Sequence, residues 1–173
     1  MYERMALEIR SFAGIDLVAK LDPFALAESI NVRVVYPSDL AGLSESSRSR
    51  LDVPDGWSGG ATQDLGDGSY IVILNRKHSM GRRAATLMEE VCHILFGHRP
   101  SRIAAGRIGG RSYNFNVEDE AYGVGAAALV PYYSLKNFLV SGVSVREIAT
   151  HFGVTSSLVI YRARGTRLAK FIS

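Results

Sequence analysis

The apolar positions along the chain change period several times, and each change marks an element. Leu7, Ile9, Phe12, Leu17, Val18 and Leu21 recur at roughly helical spacing through a first segment, residues 6–30. Within it, Asp22-Pro23 predicts a second helix through "FALAESI". Asp22 would be its N-cap and Pro23 its first residue, where a missing N–H costs nothing. "NVRVVYP" then alternates Val32 and Val34 with other residues and stops at Pro37, as a short strand does. Residues 38–69 are rich in Ser, Gly and Asp and read as loops, with one short strand near Trp57 to Thr62. "YIVILN", Tyr70 to Asn75, is the clearest strand: apolar, β-branched and closed by Asn. A long helix follows from about Met80 to Phe96, with Gly97 as its stop. A basic, Gly-rich connector leads to a second long helix over residues 117–129, ended by Pro131. A third helical stretch begins near Tyr132, and the tail reads as two helices around a turn at Gly153. Two helices, a small sheet and then a run of helices predict an α+β architecture. The expected division is residues 1–131 as one domain, with residues 132–173 as a helical region packed on it.

Composition changes this picture little. The chain has 173 residues, 47% hydrophobic and 21% charged, which suits one domain with a substantial core. No apolar run nears the roughly 20 residues that span a bilayer, so no membrane partner is expected. "MYERMALEIR" carries Glu3 and Glu8 and does not read as a secretory signal. The single cysteine, Cys92, excludes an internal disulfide. The expected location is the cytoplasm. A formal net charge of +3 permits contact with nucleic acid without arguing for it.

The chemistry concentrates in "MEEVCHILFGH", Met88 to His98. On a helix, residues four apart share a face, so Glu89 and His93 point the same way, with Glu90 one position round. The spacing matches the zinc-peptidase pattern H-E-x-x-H, in which the outer pair binds metal and the enclosed Glu is the general base. Here a Glu stands first, and carboxylate oxygen is an accepted zinc ligand. A catalytic zinc needs a third protein ligand, and "EDEAYGVGAAALVP" offers Glu118, Asp119 and Glu120. The small residues that follow would let this helix approach the first closely. Of the other chemical side chains, His98 reads as a helix cap rather than a residue facing the cleft, and His78 as a loop residue. Cys92 reads as a buried structural thiol, and Tyr113 and Tyr122 as packing residues.

These segments resemble the ImmA/IrrE metallopeptidases. "YIVILNRKHSMGRRAATLMEEVCHILFGH" is similar to that family's strand followed by "F-T-x-A-H-E-L-G-H-x-L-x-G-H". Glu120-Ala121 with Pro131 resembles "E-A-x-x-F-A-x-x-L-L-x-P", with Val124 in place of the family's Phe. "IATHFGVTSS" resembles the family's "I-A-x-x-F-G-V-S". The resemblance covers about residues 25 to 165. It implies a zincin-like core, Glu90 as catalytic base, and His93 and Glu120 as metal ligands, with the first ligand falling on Glu89. It also implies Zn2+, with Mn2+ as an alternative suited to harder oxygen ligands. The implied substrate is a protein, typically a helix-turn-helix repressor. The competing expectation is a catalytically silent module that binds a repressor or DNA. In the tail, Ala149 and Gly153 fit a helix-turn-helix, and Arg146, Arg162, Arg164, Arg167 and Lys170 could meet phosphates. The same pattern builds an ordinary bundle, and that reading is preferred to DNA binding.

Overall fold

The computed structural model describes residues 1–63, 67–98 and 115–172. Its helices in chain order are α1 (Tyr2–Phe12), α2 (Pro23–Ser29), α3 (Glu45–Leu51), α4 (Met80–Leu95), α5 (Phe115–Leu129), α6 (Tyr132–Val140), α7 (Val145–Phe152) and α8 (Ser156–Gly165). Its strands are β1 (Val32–Val35), β2 (Gly59–Gln63) and β3 (Tyr70–Leu74). This is the α+β arrangement expected. β3 lies between the other two strands, parallel to β1 and antiparallel to β2, with Val34 opposite Val72 and Val72 opposite Ala61. The basic connector and Tyr113 lie outside the described residues.

Local chemistry explains most boundaries. Asp22 caps α2 by accepting from the Phe24 backbone N–H at 2.9 Å, with Pro23 at the first position. Ser79 caps α4, and Thr155 caps α8. At α7 the cap is reciprocal. Ser144 accepts from the Glu147 N–H, and the Glu147 carboxylate accepts from the Ser144 N–H. The hydrogen bonds from Ser144 hold the Glu147 carboxyl below its ordinary pKa. Asn75, buried at the end of β3, donates its amide to the carbonyls of Val53 and Trp57 and so ties the preceding loop to the entrance of α4.

Two sequence expectations are corrected. α3 lies in the Ser-rich stretch read as loops; Ser44 caps it, and none of its residues is buried, so no apolar stripe announces it. In the first segment the buried face of α1 is Ala6, Ile9 and Arg10, while Phe12 is 64% exposed and Leu7 also faces outward. A buried arginine took the place that the apolar pattern gave to Phe12.

One buried cluster runs from Ala6 to Leu168 and draws on the sheet, α4, α5 and the C-terminal helices together. At its centre α4 and α5 pack antiparallel, since Gly125 meets Met88 while Glu118 meets His93. A Cβ at Gly125 would lie 3.3 Å from the Met88 backbone, so the small residue sets the helix separation. The α7–α8 turn, where Gly153 is left-handed (φ 68°), sits on the start of α4. There a Cβ at Gly81 would come within 2.7 Å of the Val154 carbonyl carbon. Arg162, read as a candidate phosphate contact, is instead buried. Its Nε–H donates to the Val130 carbonyl at 3.0 Å and its guanidinium pairs with Glu3. Arg146, Arg164, Arg167 and Lys170 remain exposed. Among the described residues, no helix is long and apolar enough to cross a membrane.

Candidate metal centre

α4 is amphipathic. Ala84, Leu87, Met88, Val91 and Cys92 are buried, and this fixes its rotation. Glu89, Glu90 and His93 are left half-buried along one edge. The first two turns of α5 bring Glu118 and Glu120 to the same end of the helix pair, and the positive end of the helix dipole favours Glu118, in the first turn.

Among the described residues, Glu89, His93 and Glu118 form a group whose donor atoms all lie within 4.8 Å of one another. His93 Nε2 is 3.5 Å from a Glu118 carboxylate oxygen. Two donors each about 2.0–2.1 Å from a tetrahedral zinc would stand roughly 3.4 Å apart, so this pair already has the spacing of a shared ion. Two carboxylates and one imidazole are also a donor set that zinc accepts. The residues present therefore fit a divalent metal. Glu90 follows Glu89 on the helix and is not in this group.

Glu120, the third ligand implied by resemblance, is not one of these three and lies beside them. Its carboxylate is 3.3 Å from His98 Nε2, and His98 Nδ1 is 3.0 Å from His93 Nδ1. His98 is placed by the end of α4. Gly97 turns left-handed (φ 65°), its N–H bonds to Ile94 O at 3.1 Å, and His98 N–H bonds to His93 O at 2.9 Å. The His98 backbone thus closes the helix, as the cap reading expected, but its ring folds back on His93 with centroids 5.1 Å apart. The group of possible donors contains Glu118, where the resemblance gives Glu120, and His98 stands beside His93, which the sequence did not indicate. Glu118 was in view among three acidic candidates. The signal for His98 was Gly97, which reverses the chain and returns the next side chain to the helix it has just left.

Burial sets much of the electrostatics. It draws the His93 imidazole below its ordinary pKa; the Glu118 carboxylate opposes that shift and His98 adds to it. Burial, with a smaller contribution from Glu89, pushes the Cys92 thiol up to about 12, so Cys92 is a packing residue and not a nucleophile. Tyr122 packs edge-on against Tyr161 at 4.9 Å, and burial raises both phenols. His78 is buried in the loop before α4, with Nε2 2.8 Å from Pro54 O, well along the chain from the acidic cluster.

Comparison with curated proteins returns no match. A family model, peptidase M78, described as an IrrE N-terminal-like domain, matches residues 27–164. That span begins in α2, ends in α8 and contains Glu89, Glu90, His93, His98, Glu118 and Glu120. The chain belongs to the peptidase M78 family and forms a metallopeptidase-like domain of the IrrE N-terminal type.

Proposed function

We propose that the protein is a metal-dependent endopeptidase, with a divalent ion held by Glu89, His93 and Glu118 and with Glu90 as general base. The observation that carries this is the convergence of those three donors from two helices, beside a glutamate at the base position of the motif. When bound, such an ion polarises a scissile carbonyl and makes a neighbouring water easier to deprotonate. Glu90 accepts the proton from that water and can return it to the leaving amine. His93 and Glu118 arrive on separate helices, so the spacing between α4 and α5 governs the site. Zinc is the favoured ion by intrinsic affinity, and the two carboxylates make manganese the alternative. A protein substrate accords with the family. Resemblance points to a helix-turn-helix repressor as that substrate, cleaved to switch on genes.

One observation favours a second reading, a silent module that grips a repressor or DNA: position 89 carries Glu where the peptidase pattern has His. Two glutamates carry two negative charges, which offset the charge of a dication and weaken its pull on a water. The test is metal content after purification without added metal, followed by peptidase assays. One equivalent in the wild type and loss of it in Glu89→Ala support the enzyme. Zinc bound by Glu89→Ala as well as by the wild type would remove Glu89 from the ligand set and favour the silent module.

A further inference from the structure

The start of α5 is held from the side of α1, a helix outside the family match, which begins at residue 27. Tyr2, in the first turn of α1, lies with its ring against Gly123, where an added Cβ would come within 2.6 Å of two ring carbons. The Tyr2 hydroxyl donates to the Asp119 carboxylate at 2.6 Å. Asp119 in turn stands between Glu118 of the donor group and Glu120 of the family resemblance. We propose that Tyr2 and Asp119 are positioning residues for the metal centre. Their bond holds the start of α5 ordered, in the rotation that turns both neighbouring glutamates toward α4. The inference rests on the metal reading above and deepens it.

Residues 119 and 123 are four apart and share one face of a helix. Tyr2 covers that face at both positions. At about 100° per residue, Glu118 and Glu120 stand to either side of Asp119. Both lean to the end of α4, Glu118 to His93 at 3.5 Å and Glu120 to His98 at 3.3 Å. A rotation of α5 that freed Asp119 from Tyr2 would carry one of the two away from α4. A glycine inside a helix costs stability relative to alanine, and at 123 the space a methyl group would fill is taken by the Tyr2 ring. α1 itself is anchored. Glu3 pairs with buried Arg162 and accepts from the Tyr132 N–H at 3.2 Å, and Arg10 donates to Ala128 O. Tyr2 therefore projects from a fixed helix. The end turns of a helix open at little free-energy cost, and an open turn at 118–120 would disperse the carboxylates. An ion that binds only the ordered turn is held more weakly in proportion to the fraction of time the turn is ordered. A hydroxyl-to-carboxylate hydrogen bond, which is charge-assisted, weights that balance toward order.

Tyr2→Phe removes the hydroxyl and keeps the ring on Gly123. Chelator competition reads zinc affinity, and amide hydrogen exchange in the metal-free full chain reads order at the start of α5. Tyr2→Phe should bind zinc about 3- to 10-fold more weakly, less than the roughly 10- to 100-fold that follows loss of a partner bonded directly to a ligand. The amides of residues 119–123 should exchange faster, while those further along α5 keep wild-type protection. Asp119→Asn keeps an acceptor oxygen and should stay near the wild type, whereas Asp119→Ala should match Tyr2→Phe. Gly123→Ala should also weaken zinc binding, despite alanine's better helix propensity, because it displaces the Tyr2 ring. Wild-type zinc affinity in Tyr2→Phe would overturn the proposal, as would an Asp119→Asn that loses as much as Asp119→Ala. Protection lost along the whole of α5 would overturn it too, since Tyr2 would then hold the fold and not the site. A wild type that takes up no zinc fails the metal reading instead. Exchange then decides the brace: faster exchange confined to the start of α5 in Tyr2→Phe supports it, and unchanged exchange sinks it.

Discussion

The two ends of the α4–α5 pair are built from the same helices by opposite means. At one end, the C-terminal part of α4, the residues just after it and the start of α5 bring together Glu89, His93, His98, Glu118 and Glu120, half-buried. At the other, α5 runs through buried residues to Leu129, and two buried arginines hold carbonyls at its end, Ala128 within the helix and Val130 just beyond it. Arg10 donates to Ala128 O at 2.6 Å and to the carbonyls of Asp16 and Ala19; Arg162 donates to Val130 O. Each arginine satisfies backbone acceptors that a helix end leaves over, with a charge that suits the negative end of the dipole. Burial lowers the Arg10 pKa, with Asp16 working against that shift. Charge at the clamped end goes mainly to backbone carbonyls, with one ion pair from Arg162 to Glu3, whereas charge at the open end gathers side chain against side chain. A rigid end fixes the angle between the helices, and the other end needs that angle if donors from separate helices are to meet.

The comparison predicts that the two ends fail differently. The largest effect belongs to Glu90→Gln. It should bind zinc like the wild type, melt at the wild-type temperature and lose peptidase activity by about two to four orders of magnitude. Loss of metal together with activity would make Glu90 a ligand. Next is Arg10→Ala, which leaves buried carbonyls without their donor. It should destabilise the fold by about 3 kcal/mol in denaturant titration, and its zinc affinity should fall because the helix angle relaxes. Full stability would show that the clamp is not needed.

Gly81→Ala is the third test, at the same end. Its Cβ would press on the Val154 and Thr155 backbone, which has no side-chain rotamer to yield, so a cost of about 1–3 kcal/mol is expected despite alanine's better helix propensity. A more stable variant would mean that the α7–α8 turn moves freely against α4. The smallest effect is at the cap of α7. The Glu147 pKa is depressed in the fold, so its contribution is fully present above the ordinary carboxylate pKa and fades as pH falls through the lowered value. Glu147→Ala should therefore melt slightly lower than the wild type at neutral pH, and the gap should close in acid. A gap that persists in acid would assign the loss to helix packing.

How much of this was legible beforehand differs from element to element. β3 and α4 were legible because their signals are local: a β-branched run closed by Asn, then a capped amphipathic helix ended by Gly97. α3 was not, because a helix that buries nothing leaves no hydrophobic period. Arg162 looked like a surface cation because nothing near it in sequence reveals Glu3, which closes on it from the other end of the chain. Glu118 and Glu120 were visible as an acidic pair at the start of α5, but which one meets His93 depends on the rotation of α5 about its axis. Packing across the whole pair sets that rotation, with Gly125 against Met88 and Gly123 against the Tyr2 ring.

The sequence by itself determined most of the elements, the α+β class, the family and the helix that carries Glu89, Glu90 and His93, because each rests on spacing within one segment. Only the tertiary structure decided what those side chains face. It brought Glu118 to His93, set His98 and Glu120 in line behind it, and buried Arg10 and Arg162 as clamps. The physical reason is that a side chain's partners depend on the rotation and separation of packed helices. Those are fixed by close packing throughout the core and by no short stretch of chain.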